Sequence, residues 1–252
     1  LLQHHAEDVR DLLIALSDDS DPGLEEGEPE FIPHENPIRT AINSVRPVAV
    51  NALIVYGLNK ADLDGFEGFE EEQESGFEPQ VYEALLERLS DPSTAVHSVF
   101  GQRIVNLRWL DADFVSDNLD TIFPIDNTEE ATERFDAAWS AYLSVTRWQS
   151  DIYSWLREYY FHAIDLHVKE GRFGGHNEGR GLVAHTLCAY IGEYESLEDD
   201  DSLITYFYEN ISPDTAGDAS WQLMRWGNDQ SEFKEHWNKV RALWEWRLDQ
   251  VS

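Results

Sequence analysis

A proline lies in the middle of an apolar run that otherwise has the spacing of a helix. The run is NPIRTAINSVRPVAVNALIVY, residues 36–56, and its second proline is Pro47. In a helix interior a proline removes one backbone hydrogen bond and clashes with the preceding turn, at a cost of about 3 kcal/mol. The sequence therefore predicts a kink or a helix junction near Pro47. The apolar stripe comprises Ile38, Ala41, Ile42, Val45, Ala49, Ala52, Leu53 and Tyr56.

A second segment repeats this pattern at an offset of 54 to 55 residues. It reads DPSTAVHSVFGQRIVNLRWL and covers residues 91–110. Both copies open with an N-cap residue followed by proline, at positions 36–37 and 91–92, which predicts that a helix begins there. Gly101 matches Pro47, and because both residue types weaken helices, an interruption is predicted at the same place in each copy.

These features predict an all-α fold, and more specifically a HEAT/TPR-like α-solenoid of stacked helical hairpins with acidic inserted loops. The segment VYEALLERL before the second copy predicts a short helix, followed by an Asp-Pro turn and a longer helix, as in a solenoid repeat. Chance similarity between two amphipathic helices is the alternative. Residues 1–170 are predicted to form HEAT-like repeats with acidic loops at 17–35 and 59–79. Residues 171–252 are predicted to continue the solenoid as a C-terminal helical-hairpin region.

The charge of the chain indicates a habitat more than a partner. It has 50 Asp and Glu against 18 Lys and Arg, for a net charge of -32. Few of the basic residues are lysines, and the acidic residues are spread along the whole chain. This composition is typical of proteins from halophilic archaea. No cluster of Lys and Arg is present to neutralise phosphates, so direct nucleic-acid binding is disfavoured.

The location and completeness of the chain follow from its apolar segments and its first residue. No stretch is apolar enough to span a membrane, and the opening LLQHHAEDVR lacks the apolar core of a signal peptide, so we expect a cytoplasmic protein without membrane contact. Because the chain starts at Leu1 and its one methionine is Met224, we expect it to be part of a longer protein. Its single cysteine excludes an internal disulfide or a thiolate zinc cluster.

A glycine-rich segment, residues 171–181, is the one place that invites comparison with a nucleotide-binding loop. It has no Gly-Lys-Ser/Thr ending and follows no predicted strand, so it matches neither a P-loop nor a Rossmann turn. His176 and His185 flank it and would converge only if the loop folded back. An enzyme with a site at 171–185 therefore stays a hypothesis for function, ranked below the two non-catalytic ones, target sensing and a scaffold or adaptor role.

Other reactive side chains do not assemble into a recognisable site. His162 and His167 are five residues apart, so they diverge on a helix surface instead of sharing a metal. Cys188 lies on an apolar helix face without an identifiable base and is interpreted as a core residue. We therefore predict no catalytic, cofactor-binding or metal-binding residue, no cofactor, and no enzymatic activity for this segment.

Aromatic residues are the candidates for contact with a protein partner. Phe66, Phe69 and Phe77 lie among carboxylates in the acidic insert, where they either anchor a partner or turn back onto the helices. Trp244 and Trp246 are two residues apart on one predicted helix, so they cannot both face the core. One of this pair is predicted to be an exposed anchor.

Several of these segments resemble a known family. The stretches AINSVRPVAVNAL, DPSTAVHSVFGQRI, IFP, AAWSAYL and RALWEWRL resemble the C-terminal helical-repeat region of large prokaryotic STAND-type ATPases of AVAST-like antiviral defence systems. In that family an N-terminal effector precedes a central ATPase, and the C-terminal repeats recognise a viral protein and trigger oligomerisation. The acidic inserts depart from the family pattern, as does Pro47, where glycine is more usual. No catalytic residue is implied for this chain, since the ATPase motifs would lie upstream.

The resemblance implies a non-catalytic, target-sensing region of an antiviral defence ATPase from a halophilic archaeon. Its expected partner is a protein, viral in this reading, and oligomers would form through upstream domains. The alternative is a general helical-repeat scaffold or adaptor that assembles cellular proteins.

Overall fold

A computed structural model describes residues 2–23, 32–68, 75–170, 178–229 and 236–250. Within these ranges the chain forms twelve α-helices and no β-strand. Its one strand-like feature is an isolated parallel bridge between Ile32 and Ser93. The predicted all-α class is therefore confirmed. None of the helices in the described ranges is long and apolar enough to cross a membrane.

The chain divides into two compact units, Leu1–Thr146 and Arg147–Ser252. The boundary predicted at residue 170 falls at the end of a helix in the second unit. The first unit contains α1 Leu2–Ser17, α2 Pro37–Ala41, α3 Val45–Leu63, α4 Pro79–Arg88, α5 Thr94–Leu110, α6 Ala112–Ile122 and α7 Glu129–Val145. The second contains α8 Ser150–Glu170, α9 Glu178–Ile191, α10 Leu203–Asn210, α11 Pro213–Asp229 and α12 Trp237–Gln250.

Pro47 is tolerated because a helix begins just before it. The predicted run splits into α2 and α3, so Pro47 is the third residue of α3, where its missing N–H would have had no partner within the helix. The two N–H groups ahead of it are bound by Asp21, whose Oδ2 accepts from Val45 N at 2.8 Å and whose carbonyl accepts from Arg46 N at 2.7 Å. The predicted junction in the first copy is confirmed, and Asp21 caps the new helix from a distant part of the chain.

In the second copy the predicted interruption at Gly101 is wrong. Gly101 lies inside α5, which is continuous from end to end. A Cβ atom at this position would lie 2.0 Å from the carbonyl oxygen of Ala138 on α7. The glycine therefore permits two helix backbones to approach closely and does not mark a break.

The predicted helix start at Asp91-Pro92 is also wrong, whereas the one at Asn36-Pro37 is confirmed. Asn36 accepts a hydrogen bond from Arg39 N at 2.9 Å, as an N-cap does. In the second copy the N-cap is Ser93, whose Oγ accepts from Ala95 N at 3.2 Å. Asp91 is thereby left for another role, described below.

The first unit is built around α5, which is buried over most of its length. Along the chain α1 contacts α3, α3 contacts α5, and α5 contacts α7. At the α7 end of this series Trp139 is stacked on Phe135 at 5.4 Å and meets Phe123 edge-on at 5.3 Å. These three rings are fully buried in the core of the first unit.

In the second unit α9 contacts α8, α10 and α11, and α8 also contacts α10. Tyr153 and Tyr160 lie two turns apart on α8, and both are buried. Their ring centroids are 5.4 Å from each other. The hydroxyl of Tyr160 shares a 2.7 Å hydrogen bond with Nδ1 of His185 on α9. These two buried polar groups thus satisfy each other, as buried polar groups require.

Candidate interaction surface

A buried ion pair links the junction between α2 and α3 to the turn before α5. Arg46, the second residue of α3, places its Nε 3.2 Å from Oδ2 of Asp91 at an angle outside hydrogen-bond geometry. Its Nη2 donates to the carbonyl of Pro22 at 2.7 Å. Both charged side chains are largely buried, so their opposite charges partly compensate each other.

Asp91 also organises the turn that precedes α5. Its Oδ1 accepts from Ser93 N at 2.9 Å, and its carbonyl accepts from Nε2 of His97 at 2.9 Å. Because a carbonyl only accepts, the His97 tautomer is the one with the proton on Nε2. Burial raises the pKa of Asp91, while the Ser93 N–H and then Arg46 act in the opposite direction.

A serine–histidine pair lies beside this turn and has a structural role. Nε2 of His34 is 3.0 Å from Oγ of Ser93, a spacing also found in hydrolases. Ser93 is fully buried, however, and its Oγ already caps α5. The pair joins the segment at Ile32 to the α5 turn, together with hydrogen bonds from Ile32 N to Pro92 O and from Thr94 N to Ile32 O.

The buried His97 makes the first unit sensitive to acid. Burial lowers its pKa to about 4, with Arg134 as a further cause, from an ordinary value of 6.5. The folded state therefore rejects a proton that the unfolded state accepts below about pH 6.5. The stability from this group is fully present above that pH and falls by about 3 kcal/mol as the pH drops to about 4. Asp91, with its raised pKa, opposes the trend in the acid part of the range.

Denaturant unfolding at about pH 7.5 and about pH 4.5 tests this expectation when the parent chain is compared with His97→Gln. We expect the parent to lose more stability on acidification than the variant, because glutamine cannot titrate. Equal losses in the two proteins would contradict the assignment of this pH dependence to His97.

The junction between α2 and α3 exposes three branched apolar side chains. Ile42 follows the end of α2, and Val45 and Val48 lie one turn apart at the start of α3. Their exposed fractions are 69%, 39% and 44%. We call these three residues the junction surface. Because Asp21 binds the backbone N–H groups of Val45 and Arg46 and Asp91 pairs with the Arg46 side chain, the junction surface lies on a fixed helix start and not on a loose loop.

The predicted anchors of the acidic insert differ in their surroundings. Phe77 is buried against Phe114 at 5.7 Å and near Tyr82, so it belongs to the core of the first unit. Phe66 is half-buried and meets the ring of Trp109 edge-on at 5.2 Å. Phe69 lies outside the described residues. Both described phenylalanines thus turn back onto helices.

The two predicted tryptophans face in different directions on α12. Trp246 is half-buried, with its ring 6.2 Å from that of Tyr208. Trp244 is exposed at 37% and contacts the exposed ring of Trp237 at 5.7 Å. Trp237, Trp244 and the exposed Leu248 follow one line along α12, which we call the α12 stripe.

The side chains considered for metal or covalent chemistry remain apart in the described residues. His162 and His167 are both half-buried on α8, and His167 contacts Thr215 Oγ1 at 3.3 Å. His176 lies outside the described residues, while its predicted neighbour His185 is bound to Tyr160. Burial raises the pKa of Cys188 to about 11, which disfavours a reactive thiolate. Across the described ranges no three His, Cys, Asp or Glu side chains are grouped as a metal site would need.

Comparisons with known proteins add no relative. No family model matches the chain, and neither a curated protein nor a solved structure is similar enough to count as a match.

Proposed function

We propose that this chain is a non-catalytic, target-recognition region of a larger antiviral defence ATPase from a halophilic archaeon. The proposal rests on the resemblance of its short motifs to the C-terminal repeats of STAND-type ATPases, together with its all-helical architecture. Recognition of a viral protein is the activity that this resemblance implies.

We further propose that the first unit is a HEAT/TPR-like solenoid segment. The order of contacts supports this, because α1, α3, α5 and α7 each contact the next helix of the series. In a solenoid each repeat contacts mainly its neighbours and offers a continuous surface to a partner. The α4 and α6 helices would be the shorter members of the successive hairpins.

The junction surface is the observation that carries the recognition role. Ile42, Val45 and Val48 lie within AINSVRPVAV, a segment that also carries the resemblance. Three exposed branched residues contribute little to folding, whereas a protein interface gains affinity from a preorganised apolar patch.

The first test is the coding region upstream of Leu1. We expect one reading frame that contains G-x-x-x-x-G-K-[ST] after an apolar strand, preceded by an effector domain such as a nuclease. A start codon directly before Leu1 would contradict the defence proposal and favour the free-standing adaptor.

The second test uses the junction surface. Tagged chains carrying Val48→Asp, or Leu86→Asp as a control of similar exposure at 44% and 41%, are used to capture partners from virus-infected and uninfected cells. We expect the parent and Leu86→Asp to retain a viral protein and Val48→Asp to lose it, since a carboxylate in an apolar interface is costly. Capture of the same host proteins from both cultures would contradict target sensing and favour an adaptor.

A further inference from the structure

The last helix, α12, has one buried apolar face and one exposed apolar face. Val240 and Leu243 are buried, and the carbonyl of Lys239 accepts a 3.0 Å hydrogen bond from the hydroxyl of Tyr190. The other apolar face is the α12 stripe, with exposed fractions of 49% for Trp237, 37% for Trp244 and 62% for Leu248. A helix fixed in place by one face therefore presents a second to its surroundings.

The α12 stripe has the spacing of a short helix-pairing seam. From Trp237 the positions run through Arg241 and Trp244 to Leu248, at intervals of four, three and four residues. Alternation of this kind keeps side chains on one line and lets them interlock with a second helix. Arg241 is the polar member of the seam, and a polar residue at such a position selects register and orientation.

The charges of the seam are self-complementary. Arg241 donates through Nε to Oε1 of Glu245 at 2.8 Å, and both side chains are exposed. When two such helices run antiparallel, the arginine of each lies beside the glutamate of the other. A parallel pair would instead place like charges at the same level.

The helix is also the least anionic in its unit. It carries Lys239, Arg241 and Arg247 against Glu245 and Asp249. Among the helices described for the second unit, α12 alone has more Lys and Arg than Asp and Glu. Two strongly acidic chains thus meet with least repulsion at this helix.

We propose that two copies of this chain associate through antiparallel α12 helices. Trp237 of each copy packs against Leu248 of the other, and Arg241 lies against Trp244 and beside Glu245 of the second copy. This association is independent of the function proposed above and would hold for an adaptor as well.

The proposed interface is small and its strength depends on salt. Four seam residues per chain bury less than the roughly 1,200 Å² of a standard stable interface, so the dimer forms reversibly with concentration. Each copy has a net charge of -32, and their repulsion is screened beyond about 10 Å at 0.1 M salt but beyond about 3 Å at 1 M. We therefore expect association to strengthen as salt rises.

Sedimentation equilibrium of the whole chain at about 0.1 M and about 1 M salt tests the proposal. We expect a monomer–dimer equilibrium that is stronger at high salt, and a dimer dissociation constant raised at least about tenfold by Trp244→Glu. Met224→Glu, an exposed position on α11, is the matched control and should leave it unchanged. A parent chain that stays monomeric in both salts overturns the proposal, as does a dimer that survives Trp244→Glu.

Charge exchange tests the antiparallel arrangement without disturbing the apolar residues. Arg241→Glu alone should weaken the dimer, because the new glutamate then lies beside Glu245 of the other copy at both symmetric positions of the interface. The double variant Arg241→Glu with Glu245→Arg should restore it, since the opposite charges are merely interchanged. Failure of the double variant to recover overturns the antiparallel register. Circular dichroism of each variant verifies that the helix content of the chain is unchanged.

Discussion

Gly101→Ala is expected to destabilise the first unit by about 3 kcal/mol or more, although alanine is the better helix former. The new Cβ would lie 2.0 Å from the carbonyl oxygen of Ala138, 2.5 Å from its carbonyl carbon and 2.7 Å from its Cα. These are backbone atoms of α7, so no side-chain rotation relieves the clash. The helices α5 and α7 must separate, which opens the largest helix–helix contact of the unit.

Gly217→Ala provides the matched control with the opposite sign. Gly217 is also inside a helix, α11, but a Cβ there meets no atom within 4 Å. We expect this variant to gain about 0.5–1 kcal/mol from helix propensity alone. Urea unfolding of the whole chain measures both changes. An unchanged or raised midpoint for Gly101→Ala would show that α5 and α7 do not cross at this glycine.

The contrast between these glycines also explains where sequence interpretation failed. Gly101 corresponds to Pro47 in the repeat, and the property that glycine and proline share there predicts a helix interruption. Glycine has a second use, close approach of backbones, and the adjacent small residues of α7 around Ala138 in DAAWSA were the available signal. Nothing in a single sequence shows that those two segments meet, because they are far apart in the chain.

Helix caps formed by neighbouring residues are predictable from the sequence, whereas caps supplied by distant residues are not. Asn36 with Pro37 does start a helix, and Thr128 caps α7 through a 3.1 Å hydrogen bond from Ala131 N. Such caps depend on neighbours within three residues. The cap of α3 is instead supplied by Asp21, and no local pattern indicates it.

The acidic composition prevents the sequence from indicating which carboxylates are buried. Among 50 acidic residues, only contact with the rest of the fold distinguishes a carboxylate that is buried from one that hydrates the surface. The sequence predicts an N-cap at Asp91, and no local pattern distinguishes Glu195 from the other acidic residues. Both prove to be paired with an arginine from another helix. Helix geometry alone predicts that one of Trp244 and Trp246 is exposed, because residues two apart lie on different sides of a helix. Only the structure shows that the exposed one is Trp244.

Glu195→Ala is expected to destabilise the second unit by about 3–5 kcal/mol. Glu195 is almost fully buried after the end of α9. Its Oε1 accepts from the hydroxyl of Tyr153 and from Nε of Arg157, each at 2.6 Å, and its Oε2 accepts from Leu203 N at 2.6 Å. Removal of the carboxylate leaves two buried donors without an acceptor and a half-buried guanidinium without its main counter-charge.

The contribution of charge is separated from that of shape by Glu→Gln at two nearby positions. Glu195→Gln keeps an acceptor but no longer balances Arg157, so we expect a loss smaller than that of Glu195→Ala yet well above 1 kcal/mol. Glu193 is exposed and faces Lys239 at 3.7 Å, so Glu193→Gln should change the free energy of unfolding by less than about 1 kcal/mol.

Salt gives an independent readout of the same pair of variants. In concentrated salt the exposed Glu193 pair is screened, while the buried Glu195 contacts are screened much less. The difference in unfolding free energy between Glu195→Gln and Glu193→Gln should therefore persist at about 1 M salt. A difference that vanishes there would mean that water reaches Glu195 and that the segment between α9 and α10 is not held by this carboxylate.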